Sequence, residues 1–201
     1  MFEIYCVTNS ELCADDFLTR IDEIAACKIN GIILREKTLT KSEYTLLAKE
    51  VLSICKKHDV NCILHTHTEI ALSLNCKNIH MPLNILKSTP KNILSHFNNI
   101  GASCHSLAET KEAKKLGCTY ISAGHIFPTQ CKMGVKERGT AFLENICSNI
   151  DIPVLAIGGI DLSNIHQAQQ CGASGCCIMS GFMTVPDTAA YISLLKSSLY
   201  L

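Results

Sequence analysis

Eight times along the chain a short apolar run is followed by a longer stretch of amphipathic or mixed character. The apolar runs predict strands at Ile4–Thr8, Gly31–Arg35, Cys62–His65, Asn78–His80, Asn99–Cys104, Tyr120–Ala123, Val154–Ile157 and Gly175–Met179. Between them the clearest helical patterns are Asp15–Cys27, Lys41–His58, Leu107–Lys115, Ala141–Ser148, Asp161–Cys171 and Asp187–Ser197. Strict β/α alternation wants a parallel sheet with helices packed on it. Eight units favour closure into a barrel. The competing open, doubly wound sheet would want a Gly-x-Gly-x-x-Gly turn after an early strand, and the sequence has none. The expected fold class is therefore α/β, a (β/α)8 TIM barrel, as a single domain over residues 1–201.

Local punctuation agrees with this layout. Thr40, followed by Glu43, has the spacing of a capping box, and so does Ser106 with Glu109. Gly117 and Gly172 follow helical stretches, where a left-handed residue ends a helix at least cost. Pro153 precedes a strand, where its missing N–H does least harm.

Charge and hydropathy remove several function classes. The chain has 18 basic and 18 acidic residues and no block of Lys or Arg, so it lacks the footprint of a nucleic-acid binder. No apolar run approaches the roughly 18 to 20 residues a membrane helix needs. The start, Phe2-Glu3-Ile4-Tyr5-Cys6-Val7, reads as a first strand and not as a signal peptide. Thirteen cysteines cannot all pair within one chain, and none stand as Cys-x-x-Cys. Many lie in apolar runs, so they read as buried small hydrophobes in a reducing cytoplasm, with a redox or metal role as the lesser alternative.

A barrel places its chemistry at the C-terminal ends of the strands and in the loops that follow. Gly158-Gly159 after the seventh strand and Ser180-Gly181 after the eighth form one group. Glycine lets backbone N–H groups approach an anion, and these two loops are the usual phosphate site of such barrels. The bland alternative is two tight turns. Arg35 and Lys37 project to one side of an extended strand end and offer a second anion-binding point, unless they form only a solvated charge run. The loop after the sixth strand, Gly124 to Gly139, is long and basic, with His125 at its start and Thr129 and Lys132 as anion donors. Four successive strands end in or near a histidine: His65 (with His67), His80, His105 and His125. They read as acid/base groups, metal ligands or structural residues. A metal is the weaker idea, since there is no i, i+4 histidine pair and no evident carboxylate ligand.

At these residues the chain resembles the TenI/thiamine phosphate synthase family. The resemblance rests on Leu34-Arg35-Glu36-Lys37, Ser103-Cys104-His105-Ser106, Gly124-His125-Ile126-Phe127-Pro128-Thr129 through Lys132, Ala156-Ile157-Gly158-Gly159-Ile160, and Met179-Ser180-Gly181, and it covers nearly the whole chain in order. It implies a cytoplasmic barrel of thiamine biosynthesis that binds a phosphorylated thiazole, with room for a homo-oligomer and no nucleic-acid or membrane partner. In the synthase branch, a pyrimidine pyrophosphate is joined to a thiazole phosphate with Mg²⁺ held by acidic residues. The expected Asn-Asp pair reads here as His65-Thr66, and the Asp expected in a Leu-Gly-x-x-Asp stretch is replaced in His80-Met81-Pro82-Leu83-Asn84. The TenI-like branch is a thiazole tautomerase that needs no metal, and it carries a histidine at the position of His125. That resemblance implies a metal-independent isomerase with no cofactor. His125 is then the proton shuttle. Gly158, Gly159, Ser180 and Gly181 hold the phosphate. Arg35 or Lys37 meets the carboxylate, and His65, Ser103, His105, Thr129 and Lys132 are further substrate contacts. The synthase, with Mg²⁺, is the alternative, and a non-catalytic thiazole-phosphate-binding regulator is a third reading.

Overall fold

All eight expected strands form. In the computed structural model, which describes residues 2–132 and 134–200, they are β1 (Glu3–Val7), β2 (Gly31–Leu34), β3 (Asn61–His65), β4 (Asn78–Pro82), β5 (Asn99–Cys104), β6 (Tyr120–Gly124), β7 (Val154–Ile157) and β8 (Gly175–Ile178). Each pairs in parallel with its neighbours in chain order, and β8 returns to β1 through Cys176↔Ile4 and Ile178↔Cys6, closing the barrel. The helices are α1 (Phe17–Ala26), α2 (Lys41–His58), α3 (Thr68–Ser73), α4 (Leu83–Ser88), α5 (Lys91–Leu94), α6 (Leu107–Lys115), α7 (Gly139–Asn149), α8 (Ile165–Gln170), α9 (Ser180–Thr184) and α10 (Thr188–Ser197).

Period-two alternation gives the barrel two apolar cores. Inside it, Val7, Ile33, Ile63, Leu155 and Cys177 pack together, with Tyr5, Tyr120, Ile157 and Met179 at their margin. Residues of the opposite parity, such as Cys6, Ile32, Leu64 and Ile79, join the larger core that includes the helices. Each fully buried Ile or Leu there contributes on the order of 1.5 to 3 kcal/mol.

Helix α2 shows how the sequence fixes an element and aims a site residue. Thr40 accepts from the Glu43 backbone N–H, and Glu43 returns a carboxylate to the Thr40 N–H at 2.8 Å. Asp59 ends the helix in the left-handed region, with the basic Lys56 and Lys57 in its last turn. Tyr44, Ala48, Val51 and Cys55 form its buried stripe. The Tyr44 hydroxyl donates to the Leu34 carbonyl at 2.7 Å and accepts from the His65 N–H at 3.0 Å, tying together the ends of β2 and β3.

Two local expectations change. The second capping box is only half made: Ser106 accepts from the Glu109 N–H at 3.1 Å, but the Glu109 carboxylate accepts from the His105 N–H instead, one residue earlier. Helices α3, α4, α5 and α9 are additions to the sequence reading. They have four to six residues, too short for periodicity to declare them. Gly117 and Gly172 sit at φ +98° and +84°, as their places after helices require. Eight of the thirteen cysteines are buried and all are free thiols, in accord with their reading as small hydrophobes. Among the described residues no helix is long and apolar enough to cross a membrane.

Candidate active site

A cavity of about 310 Å³ opens at the carboxyl ends of the strands. The segment just past β2 sends Arg35 and Lys37 into it, β3 His65, β4 His80, and β5 Ser103, with His105 just past its end. The loop after β6 contributes His125, Thr129 and Lys132, and the turns after β7 and β8 contribute Gly158, Gly159 and Ser180. One expected phosphate contact falls outside: Gly181 does not line the cavity. Its Cα faces α10, where an added Cβ would lie 2.2 Å from the Tyr191 hydroxyl, so packing explains that glycine. His67 is also outside the lining; its ring lies 4.6 Å from that of Tyr44.

Glu36, to which the sequence alone assigns no role of its own, holds the backbone of the two cations in place. It is 4% exposed and lies between them in sequence, so its side chain points away from theirs. It accepts from the Thr8 hydroxyl at 2.5 Å and from the Ser10 N–H and hydroxyl at 2.9 and 2.7 Å. Thr8 in turn accepts from the Arg35 N–H at 2.9 Å. This lock between β1 and β2 leaves Arg35 and Lys37 crowded. Burial lowers the Arg35 pKa, and the neighbouring Arg35, then burial, then Lys132 lower that of Lys37. A bound anion relieves that mutual repulsion.

His125 is 7% exposed. Its loop is stitched to β7 by the Ile126 N–H to the Ile157 carbonyl and the Phe127 N–H to the Gly158 carbonyl, both 3.0 Å. Gly158 has φ +96°, and a Cβ there would lie 2.2 Å from the His125 Cβ. The imidazole is thus seated directly against the glycine turn. His125 Nε2 lies 3.2 Å from the Val135 carbonyl, which can only accept. Nε2 therefore carries a proton, and in the neutral ring Nδ1 holds the lone pair. By the same logic His105 Nδ1 donates to the Gly124 carbonyl at 2.7 Å, leaving its Nε2 as the acceptor.

His65 and His80 form the inner wall, their rings 5.9 Å apart and nearly parallel. Burial, then His80, Arg35, Lys37 and His67, lowers the His65 pKa from 6.5 to about 3. Burial lowers that of His80 to about 4. Both rings are neutral near pH 7 and so serve as hydrogen-bonding groups, not charges. The unfolded chain takes up protons on these rings below pH 6.5 while the folded chain does not. Stability should therefore fall as pH drops from about 6.5 to 4.5, by roughly 1 to 3 kcal/mol per ring. The carboxylates with lowered pKa, such as Glu43 and Asp22, have ordinary values of 4.5 and 3.8 and act below that window. Urea unfolding at both pH values checks this, and a His65→Gln/His80→Gln variant should lose most of the dependence, with His67, whose pKa burial also lowers, keeping the remainder.

The cavity wall fits an anion and not a divalent cation. No Asp or Glu side chain lines it among the described residues, and none of those residues form a group of three His, Cys, Asp or Glu able to hold a metal. The two positions where the resemblance expects carboxylates are Thr66, hydrogen-bonded to His65 Nδ1 at 2.8 Å, and Asn84, exposed on α4. Hard, oxygen-preferring Mg²⁺ normally takes at least one carboxylate.

The closed barrel and its glycine-turned mouth define a (β/α)8 protein with a cation-lined cavity at the carboxyl ends of its strands. The chain belongs to the thiamine monophosphate synthase family, whose model matches residues 4–182. A thiamine-phosphate synthase of Halalkalibacterium halodurans is 33% identical over 189 residues, 92% of this chain and 90% of that protein. The thiamine-phosphate synthase of Fusobacterium nucleatum is 30% identical over 187 residues, 92% of this chain and 91% of that protein. The structure of a thiamine phosphate pyrophosphorylase from Pyrococcus furiosus matches with a TM-score of 0.86 at 24% identity, covering 99% of this chain and 96% of that one, a likeness of fold. The names of these relatives agree with the transferase, the alternative in the sequence analysis, and none of the three is named as an isomerase.

Proposed function

We propose that this barrel is an enzyme of thiamine biosynthesis that binds a carboxylated thiazole phosphate and shifts a proton within it, without a metal. The observation that carries the proposal is the composition of the wall: Arg35, Lys37 and Lys132 with four histidines, and no carboxylate among the described residues. In this reading the phosphate rests on the turns at Gly158, Gly159 and Ser180, and the carboxylate meets Arg35 or Lys37. His125 Nδ1 takes a proton from the ring system, and the proton returns to another atom of the same molecule, so the ring becomes aromatic with no oxidant or leaving group. Ser103, His105 and Thr129 line the remaining wall as hydrogen-bonding groups.

The transferase is the second reading, favoured by the names of the relatives. It requires a pyrophosphate to be bound and released, and the charge of that group calls for a divalent partner that this wall does not offer. Two assays separate the readings. Supplied with a hydroxymethylpyrimidine pyrophosphate, a thiazole phosphate and Mg²⁺, the protein should release no pyrophosphate above background. Supplied with the non-aromatic carboxythiazole phosphate in EDTA, it should accelerate appearance of the aromatic isomer. Pyrophosphate release at a catalytic rate, with no isomerisation, reverses the assignment.

A further inference from the structure

Beneath the site lies a polar group inside the barrel whose hydrogen bonds can be followed proton by proton. His80 is 3% exposed. Its Nδ1 lies 3.1 Å from the Tyr120 hydroxyl, and its Nε2 lies 2.9 Å from Ser103 Oγ and 3.3 Å from Ser122 Oγ. Strand register brings them together: His80 pairs with Gly101, and Gly101 pairs with Tyr120. Only glycine fits between, since a Cβ at Gly101 would lie 2.2 Å from Tyr120 Cζ and 2.4 Å from His80 Nδ1.

Counting donors sets the direction. The buried Tyr120 phenol stays protonated, and among the described residues its hydroxyl has no hydrogen-bond partner except His80 Nδ1. If Nδ1 carried the ring proton, the phenol proton would be buried without an acceptor, at a cost of roughly 1 to 3 kcal/mol relative to the alternative. Tyr120 therefore donates to Nδ1, and the single proton of the neutral ring sits on Nε2. That N–H donates to Ser103 Oγ, and the Ser122 hydroxyl, 3.4 Å away, donates to the same oxygen. Both lone pairs of Ser103 are then used, its own proton has no acceptor among the described residues, and Ser103 lines the cavity.

We infer that Tyr120 and His80 form a one-way hydrogen-bond relay that aims the Ser103 hydroxyl proton at an acceptor atom of the bound ligand. His80 and Tyr120 are positioning residues in this scheme: they act through Ser103. They bias the pocket toward a ligand with an unprotonated nitrogen or carboxylate oxygen at that point, and against one presenting an N–H or O–H, because a second donor there would face a donor. The tautomer stands on the geometry alone; the role toward the ligand rests on the proposed function.

The test has two arms. Ring-¹⁵N spectra of the ligand-free protein, with His80 assigned by its loss in His80→Gln, should show Nδ1 unprotonated and Nε2 protonated at pH 7. The reverse pattern, or a doubly protonated ring, overturns the relay whatever the protein binds. In titrations with the carboxythiazole phosphate, Tyr120→Phe and Ser103→Ala should each weaken binding roughly 5- to 10-fold, the loss of about one hydrogen bond. The double variant should be no weaker than Ser103→Ala alone. Losses that multiply instead overturn the coupling through Ser103. Should Tyr120→Phe not fold, the wild-type spectrum still decides the direction.

Discussion

Replacing His125 with alanine should lower the rate of isomerisation roughly 10²- to 10⁴-fold, the worth of one positioned acid/base group, while leaving affinity for the thiazole phosphate near that of the wild type. The geometry makes the separation sharp. The imidazole stands against Gly158, with Nε2 committed to the Val135 carbonyl at 3.2 Å and Nδ1 left to exchange a proton. The backbone of its loop is held independently of the side chain, by the bonds to Ile157 and Gly158 and by the Arg138 N–H to the His125 carbonyl at 3.0 Å. Truncation should thus remove the base without dislodging the anion turn. Spectroscopic detection of the aromatic product, with affinity measured in parallel, gives both numbers. A variant that isomerises at the wild-type rate removes His125 from the mechanism.

Gly158→Ala should be among the most damaging single-methyl changes in the site. The residue sits at φ +96°, where an L side chain is strained, and its Cβ would fall 2.2 Å from the His125 Cβ. Strain of this kind costs on the order of 1 to 3 kcal/mol before the clash is counted. Relief requires the loop after β6 and the turn after β7 to separate, which moves the proposed base and the proposed phosphate seat apart at once. The expected result is a lower unfolding midpoint together with at least about a tenfold loss of affinity for the thiazole phosphate, the worth of one charge-assisted hydrogen bond. Calorimetric titration beside thermal unfolding measures both. Wild-type affinity in this variant would mean that the phosphate is seated elsewhere.

Much of this site is legible in the sequence, because barrel geometry converts strand ends into site positions. Arg35, Lys37, His65, His80, His105 and His125 all stand at or just past such ends, and all six line the cavity. Helices α2 and α6 were legible to the residue because Thr40 and Ser106 cap them and each runs nine residues or more. What stayed hidden depends on register across strands or on tertiary packing. Nothing in the chain order says that His80, Gly101 and Tyr120 lie side by side. Nor does a Ser-Gly pair reveal that Ser180 faces the cavity while Gly181 turns to Tyr191. Glu36 read as one charge in a run, whereas burial against Thr8 and Ser10 makes it the brace for its neighbours.

In the proposed function the mouth grips a phosphorylated, carboxylated ring by its own cations and amides. Calorimetric titration of the wild-type protein with the carboxythiazole phosphate, first in EDTA and then in Mg²⁺, tests it most directly. One-to-one binding of equal affinity in both buffers is the predicted result. Binding that appears only when Mg²⁺ is supplied would contradict it.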